Sequence, residues 1–179
     1  MTRRFLPIVL LAVAGLAAAC SSTSSSTTTT SAPTTTAPST TTTAKTLACT
    51  TKSLAISVGQ SQGAAGTIYV PIVFQNTSST PCTMGGFPGV AGTGVAGQQT
   101  SQARRTSATP RTITVAPGSS ASALVSATDV PSGTATTCSN FSGLLVTPPN
   151  DVNSQALTVQ IPDCSGLSVS PVVPGTSGQ

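Results

Sequence analysis

Ile68, Val70, Ile72 and Phe74 stand at every second position of one run, and this alternation constrains the chain more than any other feature. A period of two puts apolar side chains on one face of an extended strand, whereas a helix would need them three and four apart. The same pattern recurs in shorter form at Leu54-Ile56-Val58, Ile113-Val115, Leu144-Val146, Leu157-Val159-Ile161 and Leu167-Val169, and more faintly from Ser120 to Ala127. Gly, Pro, Asn and Ser clusters punctuate the runs at 63–66, 76–81, 117–118, 131–133, 148–151 and 162–163. No apolar stripe at helical spacing is sustained. Short strands separated by turn residues in one domain predict an all-β fold, an immunoglobulin-like antiparallel β-sandwich spanning residues 47–173, with 174–179 as a disordered tail.

A domain with no Trp, one Tyr and three Phe has few large side chains to fill a core. Cysteines compensate. Of the five, Cys20 belongs to the N-terminal region, leaving Cys49, Cys82, Cys138 and Cys164, an even number for a disulfide framework in an oxidising compartment. Three pairings are open. Cys49–Cys82 and Cys138–Cys164 are favoured, because each would bridge neighbouring segments of a sheet, and each closed loop would contribute roughly 3–4 kcal/mol on the chain-entropy estimate. A metal site built from these cysteines lacks C-x-x-C spacing and is set aside.

The first residues carry processing information. Arg3 and Arg4 precede an apolar stretch from Phe5 to Ala19, too short for a membrane span and of the right length for a signal peptide. It ends in Leu16-Ala17-Ala18-Ala19-Cys20, which resembles the lipobox of bacterial prolipoproteins, with Ala17 where Leu is usual. That resemblance implies a lipoprotein signal peptide over 1–19, lipidation of Cys20 and anchoring at the extracytoplasmic face of the cell membrane. The alternative is an ordinary secretory peptide cut near Ala19. Between Ser21 and Ala44 all but five residues are Ser or Thr, so 20–46 reads as the lipidated Cys and a disordered linker. As a flexible coil it would span about 25–30 Å. Glycosylated stalk and bare spacer both remain open.

Charge is scarce, at 6% of residues, and there is no His and no Glu. Loss of Arg3 and Arg4 leaves five bases against three acids, a formal +2. That is too little for a nucleic-acid surface. Two motif matches have no chemistry behind them. Gly59-Gln60-Ser61-Gln62-Gly63 fits G-x-S-x-G, but no His exists to activate the Ser, and the segment reads as a polar hairpin loop. Gly92-Thr93-Gly94-Val95-Ala96-Gly97 fits G-x-G-x-x-G without a following helix or a suitably spaced acid, and reads as turns. Asp151 and Asp163 could form a carboxylate pair only if the fold brings them together, and both fall in Pro-containing turns where solvated Asp is normal. No enzyme, cofactor or metal is expected.

Two surface candidates remain. Arg104, Arg105 and Arg111 form the one charge cluster of the processed chain, read as a single loop able to grip a phosphate or carboxylate of the envelope. The plain alternative is a solvated loop. Around Met84 to Val90, Phe87 either presents an exposed aromatic or plugs the core. Lack of Trp and a single Tyr69 weigh against a lectin face.

The order Cys49, Gly66, Asn76-Thr77, Cys82-Thr83-Met84-Gly85-Gly86-Phe87-Pro88-Gly89-Val90, Gly97, Pro117-Gly118, Cys138, Pro148-Pro149, Cys164 resembles an uncharacterised domain family of secreted proteins and lipoproteins of actinobacteria. The resemblance implies a β-rich extracytoplasmic domain and supplies no catalytic residues. The expectation is therefore a membrane-anchored envelope lipoprotein with a non-enzymatic binding module, its partner an anionic envelope polymer or a protein. The alternative is a structural or surface-coat lipoprotein with no specific ligand.

Overall fold

The computed structural model describes residues 46–179, so Cys20, the signal peptide and nearly all of the linker lie outside the described residues. A single 3-10 turn, Thr51–Ser53, leads into the strands β1 (Leu54–Val58), β2 (Gln62–Ala64), β3 (Thr67–Asn76), β4 (Cys82–Gly85), β5 (Gly89–Thr93), β6 (Gln99–Gln102) and β7 (Arg104–Arg105). They are followed by β8 (Thr112–Val115), β9 (Ser120–Thr128), β10 (Ser139–Thr147), β11 (Gln155–Asp163), β12 (Leu167–Val169) and β13 (Val173–Pro174). The expected antiparallel sandwich is the architecture. One sheet runs β1-β3-β9-β12-β7, with β2 also on β3 and β13 also on β9; the other runs β11-β10-β5-β6, and β4 and β8 form a separate two-stranded ribbon. The exceptions to antiparallel pairing are β7 against β12 and an isolated bridge between Ala48 and Thr83.

Alternation decides what is buried. On β3, Val70, Ile72, Phe74 and Asn76 face the core, and Thr67, Tyr69, Val73 and Gln75 do not. On β9 the inward set is Ala121, Ala123, Val125 and Ala127. These small residues share one core cluster with Phe141, Leu144, Val146 and Ile161 of the second sheet. Close-packed interiors reward such a division of large and small side chains between facing layers.

Asn76 is the polar exception, fully buried. Its Nδ2 donates to the carbonyls of Thr80 and Val115 at 2.9 Å each, and its Oδ1 accepts from the N–H (3.0 Å) and Oγ (2.7 Å) of Ser78. Every capacity of the amide is used, as a buried polar group requires. The side chain thereby ties the β4–β8 ribbon to the large sheet.

Both disulfides form with the favoured pairing. Cys49–Cys82 has a Cα–Cα distance of 5.0 Å and Cys138–Cys164 one of 4.9 Å. The first is buried at the ribbon, with Cys82 in β4; the second joins the residue just before β10 to the residue just after β11.

Three local expectations change. Residues 59–63 are not a hairpin loop: β1 and β2 both lie along the same edge of β3, and the pairing shifts by one residue between Val58↔Ile72 and Gln62↔Tyr69. The segment is a bulge opposite Pro71, which has no N–H to offer that edge, while Gly59 N–H still donates to the Pro71 carbonyl at 2.7 Å. The hairpin turn is Ala65-Gly66, both at positive φ (48° and 75°), the two-residue form whose twist suits a right-handed hairpin. Gly89–Thr93, read as loop, is an interior strand of the second sheet. Gly92 belongs there because the Phe141 ring occupies the space a Cβ would need. Nor is the C-terminus loose: β13 pairs Val173 with Ser122, and Gly178 N–H donates to the buried Ser122 Oγ at 2.8 Å.

Candidate functional site

The outward face of the large sheet is where the unusual chemistry collects. Pairing registers set Gln62 opposite Tyr69, Tyr69 opposite Ser126, Ser126 opposite Ser168, and Ser168 opposite Arg104. Residues directly opposite one another point to the same side of a sheet, so an amide, a phenol, two hydroxyls and a guanidinium form one row across five strands. At about 4.8 Å per strand the row is roughly 19 Å long. Ser126 Oγ and Ser168 Oγ are hydrogen-bonded to each other at 2.7 Å, which fixes the middle of the row.

On one flank of this row lies a polar hollow of about 270 Å³, lined by Thr67, Tyr69, Arg104, Ser126, Thr128 and Ser168 among others. Its lining includes one cation and no acid. Arg104 is exposed, and its five N–H donors have no partner among the described residues, so they can meet a planar anion.

On the other flank, again bordered by Tyr69, a hollow of about 290 Å³ has Pro71, Val73 and Leu124 as its floor and Gln60, Gln62, Ser177 and Gln179 among its walls. The concavity comes from two interruptions of the sheet. One is the bulge at Gly59–Ser61. The other lies between β12 and β13, where Ser170 Oγ accepts the Leu124 N–H at 2.8 Å in place of a ladder partner. Beyond it the tail folds back, and Gly178, at φ +76°, packs so closely that a Cβ would meet the Leu124 backbone N at 2.9 Å.

The three arginines do not act as one loop. Arg104 and Arg105 form β7, and the pleat sends them to opposite faces: Arg104 aligns with the outward Ser168, Arg105 with the buried Val169. At this margin the Arg105 guanidinium sits over the Phe87 ring, 5.5 Å from its centroid, an arrangement favoured by the ring quadrupole. Phe87 is half-buried and packs against the core, so it is neither a displayed aromatic nor a full core plug. Arg111, exposed, immediately precedes β8 and lines neither hollow of the outward face.

The carboxylates are also apart. Asp151 lies before β11 and Asp163 ends it, at opposite ends of a nine-residue strand about 27 Å long. Asp151 is a structural group. It accepts from the Thr51 Oγ1 and N–H at 2.6 Å each, and from the N–H groups of Val152 and Asn153 at 2.7 and 3.2 Å. The hydroxyl and amide of Thr51, ahead of the neighbouring amides, hold its carboxyl far below the usual carboxylate range. The G-x-S-x-G serine sits in the bulge, and Gly94 and Gly97 of the other motif form the β5–β6 hairpin, closed by Gly97 N–H to Gly94 O at 2.9 Å.

The family match spans this architecture from the first disulfide cysteine to β13. Residues 49–173 match the family described as Domain of unknown function (DUF4232). The chain belongs to that family. No curated protein and no solved structure matches it. The DUF4232 domain thus takes in Tyr69, Ser126, Ser168 and Arg104, all four within the matched span, together with both disulfides. The tail wall, residues 175–179, lies just beyond it.

Proposed function

We propose that the chain is an exported lipoprotein, lipidated at Cys20, whose DUF4232 domain is a non-enzymatic module that binds an anionic component of the cell envelope. The observation that carries the reading is the cross-strand row ending in Arg104: a free guanidinium beside hydroxyl donors, in a hollow without a carboxylate. Preorganised donors around one cation suit a phosphate or carboxylate group better than an apolar ligand. The Ser/Thr linker would hold this face some tens of ångströms from the membrane.

One exposed guanidinium against an anionic surface contributes about 1 kcal/mol, so binding gains strength from repeated contacts along a polymer. The attraction decays over a Debye length of about 8 Å at physiological salt. The test is retention of an envelope polymer by the immobilised full-length protein in neutral detergent. Salt should release the polymer, and Arg104→Gln should weaken retention while Arg111→Gln leaves it unchanged. Equal losses from both variants would place the contact elsewhere. Metabolic labelling with a clickable fatty acid tests the anchor: wild type should be marked and Cys20→Ser should not.

A further inference from the structure

We infer that the two hollows meeting at Tyr69 form one continuous site for an acidic oligosaccharide, with Arg104 taking the anionic substituent and the Pro71–Leu124 floor taking the sugar ring. This rests on the binding reading above and names its ligand class. A sugar ring is amphipathic: axial C–H groups make an apolar face, and hydroxyls ring its edge. The second hollow has the complementary form. Tyr69, Pro71, Val73 and Leu124 supply flat apolar surface, and Gln60, Gln62 and Ser177 place amide and hydroxyl groups at the rim. Amides carry both donors and an acceptor, as a hydroxyl partner requires.

The concavity is built into the fold. A sheet face alone would be nearly flat, and here it is walled by the Gly59–Ser61 bulge on one side and the pinned tail on the other. Bulges are over-represented beside binding sites because they re-aim side chains. The tail's position is specific: the buried Ser122 Oγ receives the Gly178 N–H, and only glycine fits against Leu124. The adjoining hollow then continues past Tyr69 to Ser126, Ser168 and Arg104, a further three strands away. Scarcity of aromatics excludes a lectin that works by stacking alone. Here one phenol shares the work with five or so polar side chains. A peptide occupant fits less well, since β3, β9 and β12 are paired on both sides and leave main-chain pairing to the short margins β2 and β7.

The experiment is titration calorimetry on the full-length protein in neutral detergent, against four probes of matched length or charge. These are a neutral oligoglucan, an oligouronate, a phosphorylated oligosaccharide and polyaspartate, with inorganic phosphate as a fifth cell. The acidic saccharides should bind, and the better of the two identifies the substituent. The neutral sugar should bind roughly tenfold more weakly. Arg104→Gln should erase that difference, and Gln60→Ala, a change at an exposed bulge, should weaken every saccharide several-fold. Tyr69→Ala should do the same, with Tyr69→Phe largely restoring binding. If polyaspartate binds as tightly as the acidic saccharides and Gln60→Ala changes nothing, the saccharide site is overturned and anion binding stands. If Arg104→Gln has no effect on any probe, anion binding itself falls. Absence of binding to every probe overturns both.

Discussion

Removing the Asn76 side chain should unfasten the ribbon from the sandwich. Asn76→Ala deletes four hydrogen bonds, two donated and two accepted, made by a fully buried side chain. The accepted pair comes from Ser78 in a partly exposed turn, where water can replace the amide, so little is lost there. The donated pair contributes about 1 kcal/mol per bond. Part of the Val115 bond's surroundings stays buried, and a bare carbonyl there costs about 1 kcal/mol more. The sum is about 3 kcal/mol, or on the order of 10 °C in Tm for a domain of this size. Urea denaturation followed by circular dichroism reads it, with disulfides intact in both proteins. Gln75→Ala is the control: its amide donates to Gly118 O at 3.2 Å from an exposed position, and should matter by under about 0.5 kcal/mol. A loss below about 1 kcal/mol for Asn76→Ala would refute the role given to this node.

Other substitutions probe separate parts of the account. Cys138→Ser with Cys164→Ser should lower stability by roughly 3 kcal/mol without changing the other disulfide, as urea midpoints and non-reduced peptide mapping would show. Gly92→Val should destabilise by more than about 2 kcal/mol, because the Phe141 ring must leave its place; scanning calorimetry measures it. Asp151 gives a pH dependence. Its folded pKa lies below the unfolded one, so its stabilisation is complete above the ordinary carboxylate pKa of about 3.9 and is lost as pH falls below it. Urea midpoints between pH 6 and pH 3 should therefore decline less steeply in Asp151→Asn than in wild type. Gly178→Ala should leave the midpoint nearly unchanged while raising hydrogen exchange at the tail amides.

Large apolar residues at period two were legible in the sequence. They marked β1, β3, β8 and β10 to β12, and with them the two-sheet class, while the four cysteines of the domain marked the disulfide pairs. Strand β5 was hidden because Gly-Val-Ala-Gly-Thr carries the composition of a turn, and only the Phe141 ring across the pairing explains the glycine. Strand β9 was faint because its alternation is Ser against Ala, two small residues of little contrast. The tail looked disordered since it is anchored through glycine N–H groups, Gly175 to Ser120 O and Gly178 to Ser122 Oγ, which no composition reveals. Within the site, Arg104 stood out as a charge, but its nearness in sequence to Arg105 and Arg111 suggested joint action. The strand period separates the first two, and their register against Ser168 and Val169 confirms it. The row itself draws on residues from 62 to 168 and becomes visible only through four pairing registers.

The single tyrosine and the absence of tryptophan give the central proposal a direct reporter. Intrinsic fluorescence of the protein is that of Tyr69, in the row between Gln62 and Ser126 and at the junction of the two hollows. The measurement is acrylamide quenching of that emission, with and without a saturating envelope polymer, in neutral detergent. Acrylamide is uncharged, so Arg104 does not bias it. Binding at the outward face should shield Tyr69 and lower the quenching constant at least two-fold in wild type (an order-of-magnitude expectation for a half-buried ring that becomes covered), with the effect reversed by salt and diminished in Arg104→Gln. Polymer retention with unchanged Tyr69 quenching would contradict the account.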